Sequence, residues 1–367
     1  MLSTEQSLIK HAKATSYFLG FISSALFVYL LMALREILVP VVVAIFLTFL
    51  FHPVLMYFKK YKIPTWISLI VLIFVQIGIY YLLVLIIISS LSTLPDKMQL
   101  YVTNLTQIIE SILVPFDLTL KEFAAMMNID IQTLDFGKVL ESLIKAGVIQ
   151  GLLDSFYSMM GSFFIMMIFW IFMIMGKNQF EERLKVAFES NRHTVEKSIK
   201  AINNQLQSYI IIKTILSLLT GFITTVILLA YGIDFALIWG LLALTLNFIP
   251  NIGSIIATIA PIIIVFLEHG FGFTTISLAA LLMVNQNVIG NIIEPQYLGR
   301  QMDLSPVFVL FSLIFWGWIW GVVGMFLAVP IAAAIKISFS NIEALRPIAI
   351  LMGSKPHKLN NDIIHTP

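Results

Sequence analysis

The sequence predicts an all-α, polytopic membrane protein. It should have about six full spans plus two helical hairpins of opposite orientation, eight membrane segments in all, and a small helical extracytoplasmic insert. Three observations predict this. Hydrophobic residues make up 59% of the chain, charged residues only 11%, and the mean hydropathy is +0.96. A soluble domain carries about 25% charged residues, so 367 residues with this composition cannot coat a water-facing surface. Apolar runs long enough to cross a bilayer, about 20 residues each, recur along the chain. Two of these runs are interrupted in the middle by proline or glycine.

Taken in order, Tyr17–Leu34, Ile37–Tyr57, Trp66–Leu91, Phe156–Met175 and Tyr209–Tyr231 read as simple spans. The first exceeds a signal-peptide core and lacks a small-x-small cleavage site after it, so it should be retained. Thr274–Ile293 is a sixth span that carries several amides. Phe235–Leu267 and Ser305–Ile337 have 33 residues each, about 50 Å as a single helix. That is too long for one upright crossing and short for two. Pro250-Asn251-Ile252-Gly253 breaks the first and Gly317 to Gly324 the second. Proline stops a helix and glycine permits the turn, so both should fold as hairpins, re-entrant or tightly folded. Pro250-x-x-Gly253 followed by Pro261 also echoes Gly321-x-x-Gly324 followed by Pro330. Paired broken hairpins of opposite orientation are what inverted-repeat carriers use to build a midplane site.

Two segments should not be spans. Thr93–Asp154 carries eight acids against four lysines and short amphipathic runs, which suits a small helical module outside the cell. Lys177–Ser208 places Phe188, Val195, Ile199, Ile202 and Leu206 at helical spacing, as a cytoplasmic amphipathic helix would. Basic residues flank spans one, two and four, at Lys10 and Lys13, at Lys59, Lys60 and Lys62, and from Arg183 to Lys200. The positive-inside rule then puts both termini in the cytoplasm. The expected organisation is 1–91 as N-terminal scaffold spans and 92–155 as the outside insert. Residues 156–208 hold span four with the amphipathic helix, 209–338 the transport region, and 339–367 a cytoplasmic tail.

The sixth span and its continuation hold the polar chemistry. Asn287, Asn291 and Glu294 lie at i, i+4 and i+7 and share a face, with Asn285 and Gln286 beside them. An unpaired polar group in hydrocarbon costs several kcal/mol, roughly. The stripe must therefore face protein, as interhelical hydrogen bonds, or a solute path. At the first hairpin tip, Asn247, Pro250, Asn251 and Gly253 could cap a turn or bind a solute with freed backbone groups. In the second hairpin, Trp316 and Trp320 could form an interfacial belt or cover a ring-shaped solute. Lys213, one turn into span five, should snorkel to the headgroups. Asp234, Glu268 and His269 should lie in solvated loops, and His52 at the interface.

Several classes are disfavoured. A net charge of +2 gives no case for nucleic acid, and the absence of cysteine excludes thiolate metal sites. No Walker A sequence, no His-Glu-x-x-His motif and no convincing nucleophile constellation occurs. The expectation is a non-enzyme with no cofactor, no resident metal and no catalytic residue, driven by a gradient or by another subunit.

Asn247-Phe248-Ile249-Pro250-Asn251-Ile252-Gly253, Asn287-Val288-Ile289-Gly290-Asn291-Ile292-Ile293-Glu294-Pro295 and Gly299 resemble the autoinducer-2 exporter family of permeases. So do Phe315-Trp316-Gly317-Trp318, Gly321, Gly324-Met325 and Ala328-Val329-Pro330. The likeness is strongest over 205–338 and closest to the branch that exports the quorum-sensing signal itself. It implies a bacterial inner-membrane carrier for a small solute, homo-oligomeric, with a pentamer as the candidate state and lipid as its surroundings. It implies a solute path through Asn247, Pro250, Asn251, Gly253, Asn287, Asn291, Glu294, Trp316, Trp320, Gly321, Gly324 and Pro330. Other branches are associated with sodium–proton exchange, so a sodium- or lithium–proton antiporter is the second reading. A non-transporting membrane scaffold is the third.

Overall fold

A computed structural model describes residues 2–119, 122, 148–187, 189, 192–298, 303–340 and 342–354. Part of the expected outside insert, 120–121 and 123–147, lies outside the described residues, as do Gly299 and the basic tail from Lys355 onward.

The described residues are helical almost throughout. They comprise α1 (Leu2–Ala33), α2 (Arg35–Lys60), α3 (Thr65–Leu113), α4 (Val148–Ala187), α5 (Arg192–Ala230), α6 (Ala236–Leu246), α7 (Ile252–His269) and α8 (Phe273–Asn287). A π-helical segment, Val288–Ile293, joins α8 to α9 (Glu294–Leu298), and α10 (Pro306–Ser340) and α11 (Arg346–Leu351) follow. Among the described residues eight helices are long and apolar enough to cross a membrane, and α6 is a shorter apolar helix. The protein is thus an all-α polytopic membrane protein.

Two boundaries differ from the sequence reading. The span over Trp66–Leu91 does not end there, because α3 continues to Leu113 as one 49-residue helix. The amphipathic stretch 177–208 is not a separate helix. Its first part prolongs α4 to Ala187 and its second begins α5 at Arg192. In both places the helix runs through a weak breaker, Pro95 in α3 and Gly176 in α4, as the chain leaves an apolar stretch for a charged one. Hydrogen bonding within a helix continues regardless of which solvent surrounds it.

Both interrupted runs are hairpins. In the first, α6 and α7 are separated at 247–251. The 11 residues of α6 rise only about 16 Å, half of a ~30 Å hydrocarbon layer, so this arm is re-entrant. The tip is a γ-turn of the rarer, positive-φ form. Asn251 sits at φ 61°, ψ −54°, and the Ile252 N–H donates to the Pro250 carbonyl at 2.7 Å. Two residues on, Gly253 lets the arms meet, since a Cβ there would lie 1.7 Å from the Leu246 carbonyl oxygen. The second hairpin repeats the device within α10. Gly321, at φ 64° and ψ −143°, breaks the helix, and a Cβ at Gly324 would lie 1.9 Å from the Trp316 carbonyl oxygen. The Ser312 hydroxyl donates to the Ala328 carbonyl at 2.9 Å and ties the arms together.

The chain divides into two compact units, Met1–Thr48 with Ser162–Ile202 and Asp303–Pro367, and Phe49–Gly161 with Asn203–Met302. In the first unit Ala44 and Trp170 are fully buried, and Phe46 packs on Phe326 with ring centroids 5.4 Å apart. The Trp320 indole N–H donates to the Leu31 carbonyl of α1 at 3.1 Å. Below the second hairpin, Asp303 is held by Lys336 at 2.8 Å and by the Ser354 hydroxyl at 2.6 Å. Burial works against the Asp303 carboxylate, but these partners outweigh it and hold the group below its usual range.

In the second unit Leu228, Ile233, Ala236, Val265, Leu278 and Leu282 form a common core for α5 to α8. Lipid tails are as apolar as leucine, so close packing rather than water exclusion must hold such helices together. Gly221 and Gly240 serve that end where α5 crosses α6.

Candidate solute cavity

The second unit holds an open cavity of about 340 Å³ between the tip of the first hairpin and the α8–π–α9 rod. Its walls are polar for a membrane interior. From the tip come Asn247, Pro250 and Asn251, and from the rod Gln286, Asn287, Asn291 and Glu294, with Lys213 of α5 at the back.

The amides brace one another. The Asn247 side-chain amide donates to Ser217 Oγ at 3.0 Å, and Gln286 Nε2 lies 3.5 Å from Asn247 Oδ1. Asn291 Nδ2 donates to Asn287 Oδ1 at 2.8 Å, and Asn287 Nδ2 donates to the Met283 carbonyl at 2.8 Å. Asn247 is 5% exposed, whereas Asn251, Asn287 and Asn291 are open to the cavity. The π segment lies in the middle of this wall. Such single-turn widenings recur at functional sites because they redirect side chains and loosen backbone pairing.

The polar stripe serves two purposes. Asn285 is 8% exposed and turns away from the cavity. Its amide donates to the Thr220 carbonyl at 3.3 Å and to the Thr224 hydroxyl at 3.1 Å, both on α5. Interhelical bonding is therefore the role of Asn285, and it is not part of the cavity wall. Asn285→Leu should cost about 1 kcal/mol of stability and leave solute movement intact. Melting curves of the detergent-purified protein beside liposome flux will show whether the two effects separate in this way.

Lys213 does not snorkel. It is 3% exposed, and its ammonium donates to Glu294 Oε1 at 2.6 Å. The correction has a physical cause. A buried carboxylate within reach holds the ammonium more firmly than a distant headgroup can, since neither charge tolerates hydrocarbon alone. Nor are Asp234 and Glu268 free in solvated loops. The Tyr101 hydroxyl, from the extension of α3, lies 3.0 Å from a Glu268 carboxylate oxygen and 3.2 Å from one of Asp234, with one proton to share between them, and Lys97 pairs with Asp234 at 2.8 Å. Burial and the two carboxylates push the Tyr101 phenol up, and the bond to Asp234 raises Lys97. Asn104 adds a bond to the Leu267 carbonyl at 2.9 Å. His52 lies 3.3 Å from Gln207 Nε2 through its Nδ1.

Gly253 stands behind the cavity, where it sets the approach of the two hairpin arms. Trp316, Trp320, Gly321, Gly324 and Pro330 belong to the first unit. There Trp316 and Trp320 are largely buried, with ring centroids 4.7 Å apart, while Trp318 is 65% exposed. Trp318 is thus the only one of these three with an outward-facing ring. Gly321 and Gly324 build the turn, and Pro330 is buried within the second arm.

Eight bilayer-length helices, two broken hairpins and an amide-walled cavity inside one unit are the architecture of a multi-pass membrane transport protein. Residues 21–344 match the model of the family described as AI-2E family transporter, and the chain belongs to that family. It is 31% identical to the AI-2 transport protein TqsA of Escherichia coli (strain K12), over 86% of this chain and 89% of that one. A putative transport protein of Haemophilus influenzae is 32% identical over 87% of this chain and 90% of its own length. The putative transport protein YhhT of Escherichia coli (strain K12) is 42% identical over a shorter stretch, 40% of this chain and 41% of that one.

Proposed function

We propose that the protein is a secondary carrier of the bacterial inner membrane that exports a small, uncharged, polyhydroxylated solute, autoinducer-2 in the first place. The observation that carries this reading is the chemistry of the cavity wall, where the five amides of Asn247, Asn251, Gln286, Asn287 and Asn291 stand among apolar side chains. A polyol that leaves water needs a partner for each hydroxyl, or it forfeits several kcal/mol, roughly, per group. Amides offer donor and acceptor together, and Asn251, Asn287 and Asn291 present them to the cavity. The likeness to TqsA along most of both chains supports the same cargo.

The state of Glu294 argues against cation exchange as the main activity. A hard cation wants several oxygens, usually with free carboxylates, and the carboxylate here is engaged by a fixed ammonium at 2.6 Å. Broken hairpins suit alternating access, because freed backbone groups can serve a solute only where they face a cavity. The distribution of basic residues supports cytoplasmic termini, and a homo-oligomeric assembly is part of this proposal.

The test is flux from liposomes loaded with labelled autoinducer-2. Time-dependent efflux through the wild type is expected, with a roughly five- to tenfold loss in Asn291→Ala at unchanged melting temperature. Sodium-dependent pH changes without flux of the signal would replace this reading with the antiporter, and neither activity would favour a scaffold.

A further inference from the structure

A second cavity, about 560 Å³, lies in the first unit along one face of α4, with Ile45 of α2 as part of its wall. Phe169, Phe172, Met173 and Phe180 form its floor, and their spacing of three, four and seven residues keeps them on one side of the helix. Gly176 lies in the middle of the floor, and a Cβ there would meet no atom within 4 Å, so the space above it is open. Lys177, Gln179 and Arg183 complete the lining. Lys177 is the last residue of the apolar span Ser158–Lys177, and Arg183 stands about 9 Å further along the helix. The cations therefore lie at and just beyond the end of the apolar span, with Phe180 between them and Phe169, Phe172 and Met173 running back along the span. Glu182, next to Arg183, does not line the groove.

We infer that this groove binds an anionic phospholipid, its phosphate between Lys177 and Arg183 and an acyl chain over Gly176. A dissolved anion would leave the aromatic floor unused, and an apolar peptide segment would leave the cations unused. A phospholipid with a net negative headgroup satisfies both. Guanidinium matches phosphate oxygens in a fork while the lysine adds a point charge. The excess of Lys and Arg around this end of α4 places it at the cytoplasmic leaflet, where anionic lipids attract basic clusters. Each cation near such a surface contributes about 1 kcal/mol, so two should favour an anionic over a zwitterionic lipid roughly thirtyfold.

The test uses the full chain in detergent, titrated with phosphatidylglycerol or phosphatidylcholine and read by native mass spectrometry. The wild type should retain phosphatidylglycerol roughly thirtyfold more tightly. Lys177→Gln with Arg183→Gln should bring it down to the phosphatidylcholine level without changing the latter. Gly176→Phe, which fills the floor, should weaken both lipids. Equal retention of the two lipids by the wild type would overturn the inference, as would a preference that survives the double substitution. Displacement of phosphatidylglycerol by inorganic phosphate alone would reassign the site to a soluble anion. Gly176→Phe that changes the oligomer mass but not lipid retention would show that a second copy of the chain covers the groove.

Discussion

Lys213→Met should abolish export and sharply lower the melting temperature, and adding Glu294→Gln should restore the melting temperature but not export. Removing one member of a buried ion pair costs about 3–5 kcal/mol, because the other charge is left without compensation. Glu294 keeps 21% of its side chain exposed toward the cavity, so Lys213→Met belongs at the lower end of that range. Glu294→Gln alone strands the more deeply buried partner, 4% exposed, and should cost more. In the double variant neither charge remains, and an amide facing a methionine is tolerable where a lone carboxylate is not. Export should stay lost, since the pair forms one wall of the cavity and fixes the end of the π segment. Melting in detergent and liposome flux, measured on all three variants, decide the matter. A Lys213→Met protein that melts normally would return the lysine to the headgroups and dissolve the pair.

Gly253→Ala and Gly324→Ala should each prevent the chain from reaching its native fold. The added methyl would stand 1.7 Å and 1.9 Å, respectively, from a backbone carbonyl oxygen of the opposite arm. A flexible side chain could rotate away, but a carbonyl locked into a helix turn cannot. Overpacking a well-ordered site costs about 1–3 kcal/mol, and separation of whole helix arms should exceed that. Gly290→Ala is the control on the cavity wall, since its methyl would lie 3.7 Å from Gln286 Nε2, an ordinary contact. Size-exclusion profiles of the purified variants should show folded material for Gly290→Ala and little for the other two. Normal yields of Gly253→Ala would mean that the hairpin arms are further apart than described.

Much of the architecture was legible in the sequence because membrane insertion is a composition problem. Six runs of sufficient length gave the spans, and Pro250, Gly253, Gly321 and Gly324 gave the hairpins, since few residues allow a helix to reverse inside lipid. Asn287, Asn291 and Glu294 were placed together by helical spacing alone. Less legible was what depends on meetings between distant segments. Lys213 and Glu294 are 81 residues apart, and a lysine near a helix end has a cheap alternative in the headgroups. Tyr101 had no polar pattern around it to announce Asp234 and Glu268. The divergence of Asn285 from Asn287 needed the positions of Thr220 and Thr224 on α5. The extensions of α3, α4 and α5 were hidden because a helix entering water drops the apolar signal by which spans are recognised.

The grip of Tyr101, Lys97 and Asn104 on the foot of the first hairpin has a mechanical consequence. Two short arms are clamped at one end to a 49-residue rod and joined at the other by a single tight reversal. This is a cantilever. Its far end is held by the lighter bonds of Asn247 with Ser217 and Gln286, so Asn251 should travel furthest while Glu268 stays with the rod.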